Sequence, residues 1–123
     1  MRIALFYVLL LGLSGAATAH HAFSADYDIN LTGTIKGVVA DVFFQNPHVH
    51  YFITVSNIDG SSETWDAQAY NLNIMSRRGW NANTLKVGDT VTVVGNLGRD
   101  ERRLIAIQQV EKSDGTTLAI FDR

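Results

Sequence analysis

Leu31-Thr32-Gly33-Thr34-Ile35-Lys36-Gly37-Val38-Val39-Ala40-Asp41-Val42-Phe43-Phe44 changes its pattern half-way along. In the first half Leu31, Ile35 and Val39 share one parity and Thr32, Thr34 and Lys36 the other, as in a strand with one face in a core. After Gly37 apolar residues fill both parities, which predicts burial on both faces. A strand that goes from one-sided to two-sided burial across a glycine suits the sharply bent first strand of a closed barrel.

The flanking sequence continues the β pattern. Asn46-Pro47 turns the chain, and residues 48–55 predict a second strand with Val49, Tyr51, Ile53 and Val55 on one face and His48, His50, Phe52 and Thr54 on the other. Asp59-Gly60 is a hairpin signal, followed by a strand over residues 63–69 with Trp65, Ala67 and Ala69 in register. Residues 71–78 are the one helical candidate, with Asn71 as cap, Arg77 and Arg78 at the negative end and Gly79 as stop. Trp80 is expected to fold back as a plug. Val91, Val93 and Leu97 mark a fourth strand, residues 103–111 a fifth, and Leu118, Ile120 and Phe121 a short last one. Strands, one short helix and a bent first strand predict an all-β protein, a small five- to six-stranded OB-fold-like Greek-key barrel. A small β-sandwich is the competing architecture, disfavoured by the helix between strands three and four.

The start of the chain has a different character. Met1-Arg2 is basic, residues 3–13 are apolar, and residues 14–19 are small and end in Ala17-Thr18-Ala19, which reads as a signal peptide over residues 1–19. The apolar run is shorter than the roughly 20 residues a spanning helix needs. Cleavage after Ala19 leaves one domain, residues 20–123, whose first part (20–29) reads as an extended arm pinned by Phe23 and Tyr27. A cut after Ala16 is the competing site. The expected location is the periplasm or the exterior, with no membrane anchor after cleavage. Cysteine is absent, so neither disulfides nor thiolate sites enter. The formal charge is −2 before Arg2 is removed, and a weakly acidic chain is not built to neutralise phosphates, so no nucleic-acid partner is expected.

The chain resembles a family of small secreted bacterial proteins of unknown function. The resemblance rests on His20-His21-Ala22-Phe23-Ser24, Leu31-Thr32-Gly33-Thr34, Asn46-Pro47-His48, Arg77-Arg78-Gly79-Trp80 and residues 85–93. It implies export and a compact β-fold, and brings no activity with it. That family usually has an aromatic or aliphatic residue two places after the Asn-Pro-His histidine, where this chain has His50. The ligand set the resemblance supports is therefore His20, His21 and His48, with His50 an addition particular to this sequence.

All four histidines fall in two clusters, His20-His21 and His48/His50. A mature N-terminal histidine offers its α-amine and ring Nδ1 as a chelate, and an imidazole from the barrel completes a three-nitrogen set. Such a set suits copper, and zinc less well. His48 is the leading third ligand, and on a strand His50 would point the same way about 7 Å further along. Asp26, Asp28 and Asp66 are candidate carboxylate supports that the sequence does not rank. Either cluster alone reads more readily as a solvated face or a flexible tail; the two together, with no histidine elsewhere, put a metal site on a level with that reading. Trp65, Trp80, Tyr51 and the phenylalanines fit core positions. Ser24 lacks a triad around it, and no phosphate-binding loop is present.

The sequence therefore predicts an exported metal-binding protein, acting as a carrier or buffer, with a metal ion as partner and another periplasmic protein as a candidate second one. A metal-independent module using the strand face is the alternative, and a copper-dependent redox enzyme ranks below both.

Overall fold

The structure, a computed structural model, describes residues 23–120. The expected signal segment, His20, His21 and Phe121 lie outside these residues. Strand β1 (Tyr27–Phe43) is 17 residues long and serves two neighbours in turn. Its first part, up to Val38, pairs with β4 (Thr90–Gly98), and Val38 to Phe43 pair with β2 (His50–Ser56), all antiparallel. Gly37 sits where the strand changes partner. A Cβ there would overlap the carbonyl oxygen of Thr54, so only glycine lets β2 approach at the bend.

From β2 the hairpin continues into β3 (Ser62–Gln68), and helix α1 (Leu72–Arg77) follows. A 3₁₀ turn (Arg99–Glu101) links β4 to β5 (Leu104–Lys112), which carries the short edge strand β6 (Thr117–Ala119). The closing contact is parallel: Asp66, Ala67 and Gln68 of β3 pair with Leu104, Ile105 and Ala106 of β5. Sheet order β3-β2-β1-β4-β5-β6 with β3 joined to β5 is a closed five-stranded barrel of OB type, with β6 appended.

The core follows the expected parity. Val39, Val49, Tyr51, Ile53, Ala67, Val91, Val93, Ile105, Ile107 and Val110 point inward and are buried. Burying each large aliphatic side chain contributes about 1.5–3 kcal/mol. Helix α1 plugs one end with Met75, and the segment after it adds buried Trp80 and Leu85; the Trp80 and Tyr51 rings lie 6.1 Å apart. The helix starts as its sequence dictates, with the Asn71 side chain accepting from the Ile74 amide at 3.0 Å. A second cap comes from far away: Asn46 Oδ1 accepts from the Leu72 amide at 2.9 Å, tying the β1–β2 loop to the helix.

Three expectations need correction. The apolar run 38–44 is not buried on both faces, because Ala40 is the extra residue of a bulge between Val39 and Asp41. The bulge resets parity, so Val39 and Val42 face inward opposite Ile53 and Tyr51, while Val38, Asp41 and Phe43 face outward and are exposed. The arm is not extended through residue 29: residues 23–26 form a helical turn and Tyr27 already belongs to β1. Finally, Trp65 is only half buried, against the rim of the core.

Candidate functional site

The outward face of β1, β2 and β3 is set by two registers. Across it run the rows Phe43–His50–Gln68, Asp41–Phe52–Asp66 and Val38–Thr54–Thr64. His50 is held on three sides. Its Nδ1 lies 2.8 Å from Oδ1 of Asp66, the diagonal residue on β3, with the two side chains 25% and 27% exposed. The Phe52 ring lies nearly parallel to the imidazole (6.2 Å, 9°), and Phe43 presents an edge at 6.1 Å. A carboxylate can only accept, so Nδ1 carries a proton, and in the neutral imidazole Nε2 is then the nitrogen with the lone pair. A carboxylate that fixes the tautomer and orientation of an imidazole in this way is the usual support behind a metal-binding histidine.

Gln68 extends the face towards the chain's start. Its Oε1 accepts from the Tyr27 hydroxyl at 2.9 Å. Tyr27 is buried outside the main core cluster, under the stacked ring of Phe23 at 5.0 Å. Burial first, and then the nearby carboxylates of Asp66 and Asp26, push its phenol well above the ordinary tyrosine range, with Arg102 opposing; it remains a neutral donor. The β4–β5 turn grips the same segment. Arg99 donates to the Ser24 carbonyl, and Arg102 reaches the Ala25 and Asp26 carbonyls and the Asp26 carboxylate at 3.1 Å. Beside this grip an open hollow of about 540 Å³ has Leu31, Trp65 and Leu97 among its lining, with the same two arginines on its rim.

The structure separates the sequence-named candidates. His48 is exposed, follows the cis Asn46–Pro47 bond and precedes the strand, since the β2 ladder begins at His50. The alternation that would align it with His50 does not extend to it. His20 and His21 lie outside the described residues. Of the three carboxylates, Asp66 is the one at a histidine; Asp26 pairs with Arg102, and Asp28 accepts from the Asn30 amide. Among the described residues no three His, Asp or Glu side chains come together closely enough to hold a metal by themselves. Phe43, Phe52, Gln68 and Tyr27 were not singled out as site residues from sequence. Counting outward from the Asp59-Gly60 turn, which pairs 50 with 68 and 52 with 66, would have found two of them, Phe52 and Gln68.

A family model, DUF6152, described as a family of unknown function, matches residues 8–106. The chain is a member of that family. No curated protein matches this DUF6152 member in sequence. Among solved structures it is similar to the mitochondrial single-stranded DNA-binding protein of S. cerevisiae, at 12% identity over 72% of this chain and 95% of that one, with a TM-score of 0.51. It is also similar to the N-terminal domain of PriB protein from Thermoanaerobacter tencongensis (18% identity, 68% and 96% covered, TM-score 0.49). A small single-stranded DNA-binding protein from Streptomyces coelicolor is a further neighbour (15% identity, 68% and 91% covered, TM-score 0.42). At such identities the first of these supports the DUF6152 barrel as an OB-type fold and nothing more specific.

Proposed function

We propose that this protein is an exported metal-binding protein, with copper as the metal, bound between the nitrogen donors of a processed N-terminus and the imidazole of His50. The observation that carries the reading is the His50–Asp66 contact, in which the carboxylate takes Nδ1–H and leaves Nε2 as the ring nitrogen available to a metal when the imidazole is neutral. His50 thus takes the role first expected of His48. His20, as the first residue after signal cleavage, supplies its amine and ring, and His21 is the alternative donor from the same segment. An all-nitrogen set with a terminal amine favours copper over zinc.

The experiment is a Cu(II) titration of the purified mature protein, with mass spectrometry to fix its first residue. Tight, near-stoichiometric binding that needs a free N-terminus is expected. Binding unchanged by N-terminal acetylation, or by replacing His50, overturns the reading.

A second reading is a metal-independent module that binds through the strand face. It is favoured by Phe43, 40% exposed beside His50 and Phe52. Ligand binding that survives replacement of all four histidines would establish it. Nucleic acid is a poor occupant of this face, although the S. cerevisiae neighbour is a single-stranded DNA-binding protein. The positions named above include Asp41 and Asp66 and no lysine or arginine, so a phosphate backbone would meet carboxylates rather than cations. A labelled oligonucleotide should show no salt-dependent binding.

A further inference from the structure

The outward face of β1, β2 and β3 carries a pattern of charge and apolar surface that metal binding at His50 does not use. In its middle row Phe52 stands between two aspartates, Asp41 opposite on β1 and Asp66 opposite on β3. Directly opposite residues on one sheet face have Cβ atoms about 4.5–5.5 Å apart, so both carboxylates lie alongside the ring. Each commits one oxygen to the fold: Asp41 Oδ1 accepts from the Val42 amide and Asp66 Oδ1 from the His50 ring, both at 2.8 Å. Neither Oδ2 has a hydrogen-bond partner among the described residues. The Phe52 ring is stacked on one side by the imidazole at 6.2 Å, which leaves its other side for a ligand.

An aromatic ring bracketed by two carboxylates suits a cation. A guanidinium suits it best, because it stacks flat on an aromatic face while its fork offers donors towards both acids. A lysine ammonium matches the charge but not the plane, and an anion would meet two uncompensated carboxylates. Lys36, the next outward residue of β1 after Val38, lies roughly 13 Å along the strand from Asp41. That exceeds the Debye length of about 8 Å at physiological salt, so it does little to neutralise the row.

The rows on either side end in exposed apolar residues, Phe43 (40%) opposite His50 and Val38 (42%) opposite Thr54. His50 and Thr54 are four residues apart on β2, about 13 Å. An extended peptide rises at the same rate. With one arginine over Phe52, its residues two places before and two places after fall over Phe43 and Val38. A small organic cation would leave both uncovered, which favours a peptide.

We infer that the outward face of β1–β3 docks an extended segment of a partner protein, in which one arginine is flanked two places away on each side by apolar residues. This rests on the second reading above, the metal-independent module, and gives that module its ligand class. No copper is required.

The test uses the purified, metal-free mature protein and labelled synthetic peptides with the core leucine–serine–arginine–serine–leucine. Counterparts carry lysine or glutamate for the arginine, or serine for both leucines, and a labelled oligothymidylate is included. The arginine peptide should bind and shift the amide signals of Asp41, Phe52 and Asp66. The lysine and serine counterparts should bind more weakly, and the glutamate one by about tenfold or more, having lost both the ring and the charge contacts. D41N should weaken the arginine peptide by about threefold to fivefold, as expected for an exposed ion pair, and F43S and V38S should weaken it while leaving the preference for arginine. All three positions are exposed, so thermal midpoints should stay near wild type.

If the arginine and glutamate peptides bind alike and F43S weakens both, the module reading stands and the arginine inference is overturned. Binding that leaves the amides of Asp41, Phe52 and Asp66 unshifted lies elsewhere and overturns it too. Oligothymidylate shifting those amides while the arginine peptide does not makes the occupant a nucleic acid and overturns it as well. If neither the peptides nor the oligonucleotide shift the face, the inference and the module reading fall together.

Discussion

The two faces of the β2–β3 hairpin carry different chemistry on the same backbone. Inward lie Val49, Tyr51, Ile53, Ala67 and Ala69, all buried; outward lie His50, Phe52, Thr54, Asp66 and Gln68, half open to water, with His50 bonded to Asp66 and stacked on Phe52, and Gln68 bonded to Tyr27. The inward face is chosen by volume and the outward face by donor and acceptor geometry. Stability and binding should therefore respond to substitutions at alternate, neighbouring positions, and the following experiments test how complete that division is.

The largest effect is expected from Ile53→Ala. Ile53 is fully buried, and removing such a side chain typically costs 2–5 kcal/mol; chemical denaturation should show that loss, with the copper stoichiometry of the remaining folded protein unchanged. Next is His50→Ala, which should weaken Cu(II) binding by two orders of magnitude or more, about 2.7 kcal/mol, with little change in the unfolding midpoint. Asp66→Asn keeps the shape of the pair but leaves the imidazole tautomer unfixed. A loss of roughly 10–100-fold in affinity is expected, as for other carboxylates behind ligating histidines.

A smaller effect crosses the division. Tyr51 is inward and apolar in its surroundings, yet its hydroxyl, like the Trp80 indole nitrogen, is buried with no hydrogen-bond partner among the described residues. Tyr51→Phe removes that uncompensated group and should raise stability by about 1 kcal/mol. The pH dependence belongs with it. Burial pushes the Tyr51 and Tyr27 phenols up, so the folded protein keeps both neutral where the unfolded chain would ionise them. Their contribution is complete below the unfolded tyrosine value of about 10 and is lost as pH rises beyond it. Thermal midpoints should fall from about pH 10 upward, less steeply in Tyr51→Phe.

Parity made the inward face legible from sequence, because Val49, Tyr51, Ile53 and the Trp65–Ala67–Ala69 set repeat every two residues whatever the strands pair with. The outward face depends on register, which no single strand encodes. Asp66 could be named but not ranked until the hairpin placed it diagonal to His50, and His48 ranked above His50 on sequence although the β2 ladder begins at His50. The bulge at Ala40 was invisible for the same reason: an apolar run reads as two-sided burial unless the partner strand shows one residue to be surplus. The hydrogen bonds from Arg99 and Arg102 to residues 24–26 join positions more than 70 apart in sequence, a pairing that local pattern cannot supply.

The seam that closes the barrel runs through Asp66, whose amide donates to the Arg103 carbonyl while its carboxylate steadies His50. One residue thus links the closing edge of the barrel to the support of the imidazole, so substitutions that open the β3–β5 pairing should disturb the His50 face as well as stability.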